Sequence, residues 1–202
     1  MDRRHFLASA GAAALLLGAS PSQAAISPDA AASFIETLGG DVIGSPPGAP
    51  LSQAERERRL RNLLEVHFDM PGISKFVLDR YWWLASGHQQ AEFQRLFETL
   101  LVQSYAKAFA KCVGNKLKVT RSWPEPDGST VVSTHIDGVW SRFIRLDWRV
   151  AGEANTMRII DLAVEGISLR ATHRSDFVSA MQTNGGTIAA LLNLLRRKVS
   201  GA

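Results

Sequence analysis

In the segment DLAVEGISLRATHRSDF, residues 161–177, Ser168, His173 and Asp176 fall within nine positions, with Glu165 just upstream. These are the side chains of nucleophilic acyl transfer, in which a hydroxyl attacks, an imidazole takes its proton and a carboxylate orients the imidazole. A serine nucleophile also needs a sharp turn that exposes its oxygen and backbone donors for the oxyanion, and no G-x-S-x-G surrounds Ser168. The competing reading is structural. Where a strand bends into a helix, Ser168 points off the strand, and Ser175 or Asp176 stands at the helix N-terminus, where an oxygen or a negative charge is favoured without catalysis. The structural reading is the expectation, and no catalytic residue is assigned.

Other chemistry is thinly represented. His67, His88, His135 and His173 are scattered, with no H-x-x-x-H or paired-cysteine spacing, so no metal site is expected. The glycine pairs at 39–40 and 185–186 lack the spacing and lysine of a phosphate loop, and no cofactor is implied. Cys112 is the single cysteine, which excludes an intramolecular disulfide and reads as a small core residue at a helix end. Trp82, Trp83, Trp123, Trp140 and Trp148 read as core residues in and beside strands rather than as stacking platforms. An isomerase-like enzyme with an acid in an apolar cavity would use Asp147 or Glu165, but the alternation that turns Leu146 and Trp148 inward turns Asp147 outward.

The N-terminus, MDRRHFLASAGAAALLLGASPSQAA, joins paired arginines to an apolar run too short to span a bilayer and a small-residue cleavage pattern at Ser22-Gln23-Ala24. Residues 1–24 are expected to be an export signal, twin-arginine-like or general secretory, leaving residues 25–202 as one domain with an N-terminal helical part. With Asp2, Arg3 and Arg4 removed, the net charge of +4 becomes +3, too small and too dispersed for a nucleic-acid footprint. No later segment is apolar for long enough to cross a membrane, so a periplasmic location is expected.

The elements that would position these residues follow from periodicity. Ser27-Pro28-Asp29 caps a first helix carrying Phe34, Ile35, Leu38 and Val42, ended by Gly44 and the GSPPGAP linker. Ser52 and Glu55 form a capping box before a second helix with Leu60, Leu63, Leu64 and Phe68 on one face and charges on the other. Asp69 caps a short third helix, and Ser86 with Gln89 opens the longest, over roughly 87–111. KLKVTRSW, STVVSTHI, FIRLDWRV and MRIIDLAV then read as four consecutive antiparallel strands. Two more helices follow, one carrying Phe177, Val178 and Met181 to a stop at Asn184-Gly185-Gly186, the last carrying Ile188, Leu191, Leu192 and Leu195. Helices, then sheet, then helices define an α+β fold: a curved antiparallel sheet of about four strands enclosed by helices, which resembles the nuclear-transport-factor-like fold and is expected to leave an apolar cavity between its layers.

Two motifs give this layout a family. Val77, Leu78, Tyr81, Trp82, Gln89 or Gln90, Phe93, Phe97, Leu101 and Tyr105 match a pattern V-L-G-x-Y-(W/Y)…Q-x-x-x-F…F…L…Y, with Asp79 where glycine is common. Asp161, Glu165, Gly166, Ile167 and Ser168 match D-x-x-x-E-G-(I/V)-S. In this order they resemble the MlaC-type toluene-tolerance family of periplasmic phospholipid-binding proteins, over essentially the whole mature chain; a related branch handles hopanoids. The resemblance implies a non-catalytic carrier that encloses acyl chains and shuttles a phospholipid between inner and outer membranes. It implies as partners an inner-membrane ABC transporter with a periplasmic lipid-binding ring and an outer-membrane lipoprotein complex. The expected lining is Val77, Tyr81, Phe93, Phe97, Leu101, Val132, Ile136, Ile144, Leu146, Trp148, Ile160 and Ile167.

Overall fold

Ser27 accepts a hydrogen bond from the Ala30 N–H at 3.2 Å, and Pro28 opens α1, Pro28–Leu38. The computed structural model describes residues 26–43, 51–139, 142–153, 155–183 and 185–201. The expected signal at 1–24, the linker at 44–50, Trp140 and Asn184 lie outside the described residues. After α1 the chain widens into a π turn, Gly39–Ile43. α2, Gln53–His67, starts at Ser52, whose Oγ accepts from the Glu55 N–H at 3.2 Å. The expected reciprocal half of that capping box gives way to ion pairs: Glu55 turns to Arg58 and Arg59 instead, and their hydrogen bonds hold its carboxyl down at about 2.

Asp69 caps α3, Met70–Leu78, through the Gly72 N–H at 3.0 Å, and a 3₁₀ turn, Asp79–Leu84, leads to α4, Gly87–Cys112. Here the capping box is complete, with Ser86 and Gln89 each bonded to the other's backbone N–H. At 26 residues α4 is about 39 Å long. It is the spine of the molecule and carries two faces of packing at its two ends.

The sheet is antiparallel in the order β1-β2-β3-β4-β5. Its strands are β1 Leu117–Pro124, β2 Thr130–Val139, β3 Arg142–Ala151, β4 Arg158–Val164 and a two-residue β5, Ile167–Ser168, beyond the four expected. Cross-strand partners set the inner face: Val132, Trp148 and Leu162 form one row, Thr134, Leu146 and Val164 the next, then Ile136 and Ile144. Register shifts in all three long ladders introduce bulges that bend the strands and add twist. α5, Leu169–Thr183, and α6, Ile188–Ser200, complete the α+β fold.

Two apolar cores result. One joins α1, α2, the sheet and the C-terminal half of α4 through Ile35, Leu64, Val102, Val132 and Trp148. The other joins α3, α5, α6 and the N-terminal half of α4 through Val77, Phe93, Phe97, Met181 and Leu195. Phe68, Met70 and Leu101 pack against both, so they mark the seam between them.

Candidate functional site

A cavity of about 210 Å³ opens at that seam. α2 contributes Leu60, Leu63 and Leu64, α3 Met70 and Ile73, and the sheet Ile136, Ile144, Leu146, Trp148, Leu162 and Val164. α4 lays down one stripe of Phe97, Leu101, Tyr105, Phe109 and Cys112, the i, i+4 spacing that keeps side chains on one face of a helix. Leu38, Phe68, Ala108 and Leu169 fill the remaining wall. Such a surface has almost nothing to offer a polar ligand.

Its few polar members are satisfied by one another. Tyr105 Oη and His173 Nε2 lie 3.1 Å apart, and the imidazole meets Phe97 edge-on with centroids 5.3 Å apart. Burial pushes the Tyr105 phenol up and the His173 imidazole down, so both are held neutral at pH 7. Burial likewise pushes the Cys112 thiol up, away from the thiolate a nucleophile needs. Asp161 accepts from Ser168 Oγ at 2.6 Å and from the Arg170 N–H at 3.2 Å, and lies 3.5 Å from Arg170 Nε.

The serine, histidine and aspartate of the 161–177 segment therefore do not converge. Ser168 spends its oxygen on Asp161 and on the Ala171 N–H at 3.1 Å, which makes it the cap of α5. This corrects the expected helix start: Ser175 and Asp176 lie well inside α5, and Ser168 has the capping role. Glu165 and Gly166, at φ 51° and 83°, make the tight turn between β4 and β5, and Glu165 Oε1 accepts from the Arg145 N–H at 2.9 Å. At φ 83° any side chain on residue 166 would be strained, so the glycine of the E-G pair is a backbone requirement. Neither Glu165 nor Asp147 lines the cavity; Asp147 accepts from Ser133 Oγ at 2.6 Å on the opposite face of β3. Among the described residues no group of three His, Cys, Asp or Glu side chains is arranged to hold a metal ion.

Of the expected lining, Phe97, Leu101, Ile136, Ile144, Leu146 and Trp148 border the cavity and the rest do not. Phe93 lies one turn earlier on the α4 stripe, fully buried in the second core and away from the cavity wall. Val77 and Tyr81 belong to the second core, and Val132 is fully buried in the first. Ile160 is the unpaired residue of the β4 bulge, where Val150 pairs with Ile159 and Arg149 with Asp161, so the inward alternation of Val164 and Leu162 breaks there and Ile159 takes the inner face instead. Ile167 pairs with Val164 but sits on the edge strand and is 65% exposed. The α2 leucines were legible as a buried stripe, but not as cavity wall, because nothing in a helix's own periodicity says what it faces.

The two cores of this α+β domain part around a nearly unbroken apolar cavity, the kind of surface that suits an apolar ligand. The model of the MlaC protein family matches residues 45–197, and the chain belongs to that family. The fold is shared with a phospholipid-binding protein from Ralstonia solanacearum, solved in complex with a phospholipid: TM-score 0.73 and 21% identity over 85% of this chain and 97% of that one.

Proposed function

We propose that the protein is a periplasmic phospholipid carrier, the soluble shuttle of an ABC-type lipid transport system. The observation that carries this reading is the apolar cavity at the seam of the two cores. Family membership and the phospholipid-binding neighbour support it. The acyl chains lie against Phe97, Leu101, Ile136, Ile144, Leu146 and Trp148, with the head group at the mouth. Among the described residues the acid on the cavity wall is Asp161, and its engagement by Ser168 and Arg170 weighs against the catalytic alternative.

A two-chain lipid carries roughly 30 methylenes, and at about 0.8 kcal/mol each their exposure would cost on the order of 20 kcal/mol. A carrier must therefore enclose the tails almost fully. Because the cavity competes with a bilayer rather than with water, loading and unloading stay near balance and need no chemistry in the carrier. The driving step then falls to its partners: an inner-membrane transporter with a lipid-binding ring and an outer-membrane lipoprotein complex. Residues 1–24 direct export; the folded chain is tied down from Ile26, whose carbonyl accepts from Thr130 Oγ1 at 2.8 Å, just beyond the proposed cleavage after Ala24.

Uptake of a fluorescent phospholipid from vesicles tests this. Leu146→Glu and Phe97→Glu each place a charge in the cavity and are expected to abolish uptake. Uptake unchanged in a variant that keeps its native circular dichroism contradicts the proposed lining.

A further inference from the structure

The turn between α3 and α4 leaves two large apolar side chains in solvent: Trp83 is 72% and Leu84 73% exposed. The backbone beneath them is well held. Tyr81 and Ala85 are buried, the Ala85 N–H donates to the Tyr81 carbonyl at 3.1 Å, and the Gln90 amide donates to the Trp82 carbonyl at 2.9 Å. The core does not need Trp83 and Leu84, and two large apolar side chains exposed side by side form a patch rather than a scattered single residue.

A cation touches the pair, and others lie along the same turn. Lys75 Nζ lies 4.4 Å from the Trp83 ring centroid, and the Arg80 guanidinium stacks over Tyr81 at 5.0 Å. Arg174 stacks on Phe76 at 5.2 Å, and the acid of the turn, Asp79, is bound to Arg174 at 3.0 Å. With Arg174 spent on Asp79, Lys75 and Arg80 are the cations of this turn not paired with that carboxylate.

We infer that Trp83 and Leu84, framed by Lys75 and Arg80, are an anchor that docks the protein on an anionic bilayer surface. Size and chemistry single out the bilayer. The two side chains offer on the order of 300 Å² of surface, far below the roughly 800 Å² per partner of a stable protein interface. Tryptophan beside leucine is suited to the head-group boundary, where the indole N–H stays wet and the ring enters the acyl edge, while lysine and arginine meet lipid phosphates. The anchor is separate from the cavity wall but adjoins it: α3 carries Lys75 and also supplies Met70 and Ile73 to the cavity.

Flotation with vesicles tests the inference independently of cargo. The unmodified protein should float with phosphatidylcholine vesicles containing phosphatidylglycerol, float poorly with phosphatidylcholine alone, and be released by salt. Trp83→Ser combined with Leu84→Ser should lower partition at least about tenfold, and Lys75→Gln combined with Arg80→Gln by about tenfold at low salt. Both variants should keep their native circular dichroism and any lipid that co-purifies, since none of these residues lines the cavity. Flotation unaffected by the apolar substitutions, or no flotation of the unmodified protein with either vesicle, overturns the anchor; the second result would leave a protein partner as the occupant. Flotation that depends on Trp83 and Leu84 in a protein that takes up no lipid would keep the anchor and overturn the carrier.

Discussion

Asp79 closes α3 at φ 53° and ψ −133°, backbone that glycine reaches freely and other residues only at a cost of about 1–3 kcal/mol. Its carboxylate reaches Arg174 at 3.0 Å, but with side chains 38% and 43% exposed the pair returns at most about 1 kcal/mol. Strain outweighs pairing, so Asp79→Gly should stabilise by about 1 kcal/mol and raise Tm by roughly 2–4 °C; a lower Tm by calorimetry would show that the ion pair dominates. His173 and His67 give a pH dependence. Burial is the main cause in both, lowering each below the ordinary histidine range, so the folded state favours the neutral ring. The unfolded imidazole takes up its proton near pH 6.5 while the folded one resists, so stability is complete above that pH and is lost as pH falls below it. Asp127 and Glu55, both held at about 2, keep their full contribution over this range and lose it only as pH falls below about 4 toward 2. Tm should therefore drop from about pH 7 to about pH 5, and His173→Gln should flatten the decline; an unchanged slope would remove His173 from this account.

At the scale of elements, α4 shows what a single helix can assign. Phe93, Phe97, Leu101 and Tyr105 share one stripe, yet the first lies wholly within the second core while the other three face the cavity. Phe93→Ala should cost about 3–5 kcal/mol and leave lipid uptake per folded molecule unchanged. Leu101→Ala, which widens a space already present, should cost less in urea unfolding and change uptake; equal costs with equal uptake would merge core and lining. Caps, helix order and the β3 alternation of Ile144, Leu146, Trp148 and Val150 were legible because they rest on local spacing. The face taken by β4 was not, because the bulge at Ile160 reverses the alternation at a place set by pairing with β3. The helix start at Ser168 was missed for a similar reason: its capping bond works together with Asp161, seven residues upstream across a hairpin. The signature D-x-x-x-E-G-I-S is thus architectural, a carboxylate, a tight turn and a cap that join β4 to α5.

For the whole molecule, the two cores and their seam determine what the protein can hold. The 210 Å³ cavity lies below the roughly 300–1,000 Å³ of pockets that take small organic ligands. Enclosing two acyl chains therefore requires the walls to separate, and the seam is where the packing of one core ends and the other begins. Such a carrier can close on itself when empty, keeping apolar surface out of water between membranes. Among the described residues no helix is long and apolar enough to cross a membrane, and the anchor inferred for the bilayer surface is the exposed turn at Trp83 and Leu84. The most direct test of the carrier is mass spectrometry of an organic extract from protein purified after export without detergent. The account predicts close to one phospholipid per chain, absent from Leu146→Glu. An extract without lipid, from protein that also takes none up from vesicles, would contradict it.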